Sequence, residues 1–460
     1  MIDDGVLRDV IEAALSTGGE FSEVYAETRR STSVHLEDRK VEEVTVGRDR
    51  GAGIRVIRGM STAYAYTNRL DRDALLDAAK VAAAALNESP RATVADLRRA
   101  PERALNPVVQ PPESIDTKRK VDAVLAMDDA ARSEGGEIRQ VIANYAEGAQ
   151  DILIANSDGV VVTDRRVRTR LACTAIAQRE GVVQTGSWNP GASAGFELLD
   201  QHPPAQVGAK AARQAIVMLD ATGAPAGEMP VVLAPGGGGV LFHEASGHGL
   251  EADLIHKGAS VYKDRTGERI GSELLNAVDD GSIPGLWGSF AYDDEGTLSQ
   301  RTVLFENGEL TGALTDFLRA RALGLGRTGN GRRQSYAHLP IPRMTNSNIL
   351  PGGDDPEEIV RQVSHGLYAK SFAGGQVNTA TGDFVFGLSE AYLIEKGELT
   401  RPVRGANLVG NGPEVLARID AVGSDYEVWW GVCGKDGQGV PVTCGMPTLR
   451  ISRITVGGTG

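Results

Sequence analysis

Cysteine is nearly absent from this chain: Cys173, Cys433 and Cys444 are the only three among 460 residues. So small and odd a number leaves no room for a disulfide framework. It suits a reducing cytoplasm, where a cysteine with a role is a metal ligand or a nucleophile. No apolar run approaches the roughly 20 residues that a membrane-spanning helix needs. The opening MIDDGVLRDVIEAAL is acidic and amphipathic, without the basic-then-apolar layout of a signal peptide. Positive charge is in deficit. A net charge of −13 argues against nucleic acid or anionic membrane as a partner held by bulk electrostatics. Aromatic residues are few, at 5%, while glycine is plentiful, at 57, a balance suited to sheets joined by tight turns.

What is present describes a globular chain, 41% hydrophobic and 24% charged. Its length exceeds one ordinary core, so two domains are expected. Val6, Leu7, Val10, Ile11, Ala14 and Leu15 recur at helical spacing and predict a helix over 2–16, stopped by Gly18-Gly19. Period-two alternation in SEVYAETRRSTSVHLEDRKVEEVTV and GAGIRVIRGMSTAYAYT predicts an antiparallel meander. Further helices are expected at 71–87, 115–134 and 205–219, with strands returning after 138. The Gly/Pro-rich passages around 186–200 and 220–230 mark a boundary. Strands in runs with helices interspersed give the fold class α+β. The expected layout is an N-terminal domain over 1–200, with an antiparallel sheet, helices and a peptide cleft or partner contacts. A connecting helix and linker over 201–228 follows, then a β-rich domain over 229–460 carrying a kinked metal-binding helix.

The chemistry centres on LFHEASGHGLEAD, residues 241–253. His243 and His248 flank Glu244, as in zinc peptidases, but stand five positions apart instead of four. On an ideal helix five residues turn the second imidazole by about 140° from the first. Both reach one metal only where the helix kinks, bulges or ends, and Gly247 and Gly249 beside His248 would permit that. The preceding PGGGG lacks the Lys-Ser/Thr pair of a phosphate-binding loop. A catalytic zinc takes three protein ligands and keeps one open position, with a carboxylate beside it as base; Glu244 is placed for that. The third ligand has several candidates: His256, His338, His365, Cys433, Cys444, Glu251 and Asp253. Cys433 lies in the glycine-flanked turn WWGVCGKDGQ, whereas Cys444 sits in a strand-like segment as a small buried filler.

Six motifs in order, FHEASGHGLEAD, YDDEGTLSQRTVLFENGELTGALTD, TGNGRRQSYAHLPIPRMTN, GGQVNTATGDFVFGLSEAYLIEKG, RGANLVGNGPEVLARIDAVG and CGKDGQGVPV…GMPTLRI, closely resemble the TldD/PmbA family, in its TldD-type form. The likeness covers nearly all of the C-terminal half and extends more loosely over the N-terminal half. It implies a zinc metallopeptidase with one Zn2+ held by His243, His248 and Cys433, and Glu244 as the catalytic base. It also implies a heterodimer with a PmbA/TldE-type subunit, acting on small or unfolded peptides. An enzyme dedicated to maturing one natural-product peptide, and a non-catalytic scaffold with a structural metal, are the alternatives. Cys444 and the Trp429-Trp430 pair depart from the family pattern.

Outside these motifs, Arg332, Arg333, Tyr336 and His338 on a glycine-rich loop are candidate substrate-binding residues, because arginine forks pair with carboxylates; a salt-bridged surface loop is the other reading. The segment GGQVNTATGDFVF is read either as a strand edge for an extended peptide or as a core strand. Glu251 and Asp253 are either partners of a ligand histidine or solvated carboxylates. His35, His202 and His365 carry no motif.

Overall fold

The computed structural model describes residues 2–86 and 93–458. Asn87, where the expected second helix ends, and Met1, Thr459 and Gly460 at the limits of the expected domains lie outside them. The N-terminal part runs α1 (Asp4–Leu15), β1 (Phe21–Glu37), β2 (Lys40–Arg58), β3 (Ser61–Thr67), α2 (Arg72–Ala84), β4 (Arg98–Arg99), α3 (Thr117–Ser133), β5 (Ile138–Asn156), β6 (Val160–Arg179), β7 (Val182–Trp188), β8 (Gly191–Ala192), α4 (Leu198–Gln201) and α5 (Pro204–Met218). Asp3, Asp71 and Asp116 cap α1, α2 and α3 by accepting from first-turn amides. Asp38 and Arg39, both at positive φ, make the two-residue turn that folds β1 back on β2.

These strands form one eight-stranded sheet in the order β3-β2-β1-β5-β6-β4, with β7 and β8 also on β6. Alternation along β1 gives its two faces different partners. Val24 and Ala26 face the α1–α2 pair, and Val34 and Leu36 face α3 and α5, so two cores lie at opposite ends of one face. The helix expected at 205–219 is α5, and its buried residues Val207, Ala211 and Ala215 belong to that N-terminal core. Glu23, Tyr25 and Glu27, on the other face, meet the C-terminal part.

The C-terminal part runs β9 (Thr222–Gly223), β10 (Gly227–Leu233), α6 (Gly239–Phe242), α7 (Ala252–Lys257), β11 (Ala277–Asp280), β12 (Arg301–Glu306), β13 (Glu309–Leu310), α8 (Phe317–Leu323), β14 (Gly331–Arg332), β15 (Ile341–Pro342), β16 (Asn346–Ile349), α9 (Pro356–Arg361), β17 (His365–Val377), β18 (Asp383–Glu395), β19 (Glu398–Arg404), β20 (Asn407–Asn411), α10 (Gly412–Ala417), β21 (Ile419–Val422), β22 (Glu427–Lys435), β23 (Gln438–Met446) and β24 (Leu449–Gly457). Strands β17, β10, β24, β20 and β18 close into a ring, because β18 pairs back onto β17. A six-stranded sheet, β13-β12-β11-β16-β23-β22, stays open and leaves β22 at its edge. One core that includes Phe242, Leu250, Phe305, Met344, Phe386 and Cys433 spans both sheets. The fold class is the α+β arrangement expected, with a β-rich C-terminal part.

Buried charge joins the two parts. Arg55 contacts Glu23 and Glu295, each at 2.7 Å, Arg333 also pairs with Glu23, and Arg166 bonds Asp294 at 2.8 Å. All six side chains are almost fully buried, and each ion is compensated, which is the condition for tolerating charge in a core. Among the described residues, no helix is long and apolar enough to cross a membrane.

Candidate metal centre

The segment 239–250 changes pitch twice. Residues 239–242 are α-helical, His243–Gly247 form a π turn, and His248–Leu250 a 3-10 turn. In the π turn the amide of His248 donates to the carbonyl of His243. A π turn, hydrogen-bonded i→i+5, is wider than an α turn, so residues five apart lie closer to one face than on an α-helix, and the five-residue spacing suits this backbone. This is how the expected kink is made. Gly247 has ordinary helical angles, φ −54° and ψ −49°, so its freedom to bend is not used. Its role is room: a Cβ there would meet Met344 Sδ at 2.1 Å, and one on Gly249 would meet the Tyr262 ring at 2.7 Å. Tyr262 in turn donates to Ser246 Oγ at 2.9 Å within the π turn.

The four glycines before the helix serve close approach as well. Gly236, at φ 76°, donates its amide to Met446, and a Cβ on Gly239 would lie 3.0 Å from that of Cys444. The helix therefore lies flat on the β22–β23 hairpin. Cys433, on β22, meets both imidazoles from there. Its Sγ lies 3.2 Å from His243 Nε2 and 3.2 Å from His248 Nε2, and the two rings stand nearly perpendicular, at 83°. All three ligand atoms fall within 4.8 Å of one another, and all three residues are buried. Two nitrogens and a sulfur around a tetrahedral zinc would be separated by about 3.5 Å given ordinary bond lengths, so the donor set fits that ion.

The surroundings fix His248 and Cys433, while His243 Nδ1 is buried without a hydrogen-bond partner among the described residues. His248 Nδ1 lies 2.9 Å from Glu251 Oε2, which leaves Nε2 for the metal, as a carboxylate partner typically does for a ligand histidine. Glu251, wholly buried, also accepts from Lys435 Nζ at 2.9 Å, and Lys435 donates to Asp253 at 2.6 Å. Neither carboxylate is solvated. Arg343, likewise buried, donates to the carbonyls of Cys433 at 2.5 Å and Gln438 at 3.1 Å and so holds the hairpin.

Electrostatics agree with a cation site. Burial alone would push the Cys433 thiol up, but His243 and His248 outweigh it and bring it down to about 4. Burial opposes charge on His248, yet Glu251 and Cys433 push it up to about 10. Burial would raise the Glu251 carboxyl, but His248 and Lys435 hold it at about 2. A thiolate among groups that favour positive charge is what a divalent ion stabilises in place of protons. Glu244 borders this cluster. Its Oε2 lies 3.8 Å from His248 Nε2, and its side chain keeps 27% exposure.

Of the other ligand candidates, Glu251 and Asp253 lie behind the cluster, and Cys444 sits buried on β23 beside His243, whose charged form it favours against burial. His338 Nδ1 instead lies 2.8 Å from Ser335 Oγ, and His256 and His365 are outside the cluster. Arg332 donates to the carbonyls of Met344 and of Pro441 (2.6 Å), and Arg333 to Glu23 and to the Asp294 carbonyl. Both line a cavity of about 620 Å3 between the two parts, whereas Tyr336 and His338 are not among its lining residues. Tyr336 instead bonds Glu27 Oε1 through its amide. Trp429 and Trp430 pack at the junction of the two parts, against Trp188 and Trp287 respectively, with Trp430 Nε1 donating to the Asn189 carbonyl. Within GGQVNTATGDFVF, β17 beyond Ala369 pairs only with β18 and exposes Gly374–Gln376. Sequence reasoning missed Lys435 and Arg343, although Lys435 is two residues from Cys433.

A buried His-His-Cys triad with a partly exposed carboxylate beside it could hold a metal ion. Comparison with known proteins sharpens the class. Family models described as the PmbA/TldA metallopeptidase domain 1, central domain and C-terminal domain match residues 22–86, 110–219 and 226–458. The chain is 40% identical over 452 residues to a protein named metalloprotease TldD homolog from Haemophilus influenzae, covering 96% of this chain and 93% of that one. It is 35% identical to a metalloprotease of Methanothermobacter thermautotrophicus, covering 96% of each. Its fold is that of TldE from Thermococcus kodakarensis, with a TM-score of 0.79 at 17% identity, covering 98% of this chain and 100% of that one. A Bacteroides thetaiotaomicron protein described as a putative modulator of DNA gyrase has the same fold, at a TM-score of 0.79, 20% identity and full coverage of both chains. The chain belongs to the PmbA/TldD family and is a metallopeptidase.

Proposed function

We propose that the chain is the zinc-bearing, TldD-type subunit of a cytoplasmic peptidase that hydrolyses small or unfolded peptides. The observation that carries this reading is the meeting of His243, His248 and Cys433 within 4.8 Å, with Glu244 3.8 Å from His248. His243 and His248 would hold the ion through their Nε2 atoms and Cys433 through its thiolate. When bound, zinc supplies Lewis acidity, lowering the pKa of a water and polarising a carbonyl. Glu244 takes a proton from the attacking water at a carboxylate oxygen and returns it to the leaving amine as the peptide C–N bond breaks. Glu251 keeps His248 in the tautomer that presents Nε2, and Arg343 keeps the β22–β23 hairpin, and Cys433 with it, in place.

The edge strand β22 brings Cys433 to the border of its sheet, where an extended peptide can add a strand by main-chain hydrogen bonds. Three protein ligands, one fewer than structural zinc sites use, favour catalysis over a scaffold role. A PmbA/TldE-type chain of the same fold is the expected second subunit. Metal analysis and hydrolysis of an unfolded peptide test the reading, with and without the co-purified partner. Glu244→Gln is expected to keep its zinc and to lose about 10²- to 10⁴-fold in kcat. Undiminished hydrolysis in that variant would overturn the assignment of the base.

A further inference from the structure

Successive residues of a strand face opposite ways. On β22, Cys433 turns in toward the histidines, and Val432, 63% exposed, turns to the other side of the hairpin. Val432 and its cross-strand neighbour Pro441 form one wall of the 620 Å3 cavity. The opposite walls come from β1, β2, β5 and β6. In a chain of net charge −13, eight arginines and only three carboxylates line this space. All three carboxylates already have partners: Glu147 holds Lys120, Asp294 holds Arg166, and Asp49 accepts from the Tyr336 hydroxyl at 3.4 Å.

Several of the arginines have no such partner. Arg332, 2% exposed, donates to main-chain carbonyls. Arg168 donates to the Trp287 carbonyl at 2.7 Å. Neither guanidinium has a carboxylate within ion-pair distance among the described residues. Burial, then Arg166 and Arg332, push Arg168 down to about 9. Burial brings Arg332 down to about 10, although Asp294 opposes it. At the mouth, Arg30 and Arg48 stand directly opposite each other on β1 and β2. Like charges at such a pair destabilise a hairpin. A buried and a half-buried cation without anions, and a facing pair of cations at the entrance, describe a site whose counter-charge comes from outside the chain.

We propose that this cavity is a carboxylate subsite, taking acidic side chains or the terminal carboxylate of a peptide that lies along β22. The inference rests on the peptidase reading, since a peptide added to β22 would send alternate side chains toward Cys433 and toward the cavity. The subsite would therefore select unfolded peptides by a carboxylate, on a side chain or at the terminus, close to the bond that is cut.

The test is binding of short labelled peptides to the zinc-loaded full chain carrying Glu244→Gln, followed by fluorescence anisotropy at low salt. Three peptides share one unstructured sequence: interior glutamates with an amidated end, glutamines with an amidated end, and glutamines with a free terminal carboxylate. The first or the third is expected to bind at least about tenfold tighter than the second, and which of them does so identifies the source of the carboxylate. Arg30→Gln/Arg48→Gln, at exposed positions where folding is not at stake, and Arg168→Gln are each expected to reduce that preference. Equal binding of all three peptides, or a preference untouched by both variants, overturns the subsite. Failure of the peptidase reading shows separately. Wild-type protein with its partner would then leave the neutral peptide uncut while the acidic preference in binding persists.

Discussion

Replacing Glu251 by glutamine tests the link between the buried polar network and the metal ligands. The carboxylate holds His248 Nδ1 and Lys435 Nζ, each at 2.9 Å, and lies 3.9 Å from Arg343. Glutamine keeps the volume and one acceptor oxygen but removes the charge. Outer partners of ligand histidines are typically worth 10- to 100-fold in metal affinity, equivalent to about 1.4–2.7 kcal/mol. A competitive chelator titration should find zinc binding weakened within that range, while Glu244→Gln stays at the wild-type value. Stability responds separately. The Glu251 carboxyl sits at about 2 in the fold, against roughly 4.3 in an unfolded chain. A depressed carboxyl contributes stability that is fully present above the unfolded value and is lost as pH falls through the folded one. Its share is on the order of 3 kcal/mol at neutral pH. Asp253 still faces Lys435 at 2.6 Å and should spare the variant part of that loss. Denaturant unfolding of the metal-free protein should therefore show Glu251→Gln less stable by about 1–3 kcal/mol at pH 7. The gap should narrow toward pH 3. Adding Lys435→Met should cost further stability, because it strips the buried Asp253 of this partner, and should not restore zinc affinity, a coupling that a double-mutant cycle resolves. A folded Glu251→Gln protein with wild-type zinc affinity at every pH would refute the coupling.

Cys433→Ser should release zinc to a chelator that leaves the wild type loaded, and undiminished zinc would move the third ligand elsewhere. Two glycines in the motifs should behave oppositely. A Cβ on Gly412 would meet the carbonyl oxygen of Ala245, inside the π turn, at 2.2 Å, whereas one on Gly434 meets nothing within 4 Å. Gly412→Ala should lower both thermal stability, by about 1–3 kcal/mol, and zinc affinity, while Gly434→Ala should stay within about 0.5 kcal/mol. Asp316, which caps α8, is pushed up to about 7 by burial and then by Glu295. The fold then binds a proton that the unfolded chain has released, so this group lowers stability as pH rises from about 4 to 7. Asp316→Asn keeps a cap and should flatten that part of the pH–stability curve. An unchanged slope would show that the group titrates normally.

Much of the secondary structure was legible because local periodicity reports it. The apolar spacing in Val6–Leu15 gave α1 to within two residues, and the alternation after Ser22 gave the long β1–β2 hairpin. The ends of the site were legible too, as an irregular H-E-x-x-x-H and a cysteine between glycines. Cys433 nonetheless lies within the paired strand β22 and not in the expected tight turn, because the hairpin turns only at Asp436-Gly437. The meeting of the two ends was expected only from the family resemblance, since no pattern across a separation of 190 positions brings Cys433 to His243. The explanation for the spacing was partly misplaced. Glycine beside a histidine suggests bending, but the backbone makes the turn with helical angles, and Gly247 and Gly249 are small because Met344 and Tyr262 occupy the space.

The sequence by itself determined the α+β class and the family and offered the candidate ligands and a candidate base, because these depend on periodicity and on residue types within short windows. Tertiary structure alone decided how they work together. Lys435 and Arg343 look like surface cations in the sequence and become buried braces only where β22, β15 and α7 converge. The Trp429-Trp430 pair has a place only once β7 and β8 lie beside β22. The arginines at 30, 48, 168 and 332 are scattered through an acidic chain, and net charge masks them. Folding puts them around one cavity, because long-range sheet pairing, not sequence distance, sets which charges share a low-dielectric space.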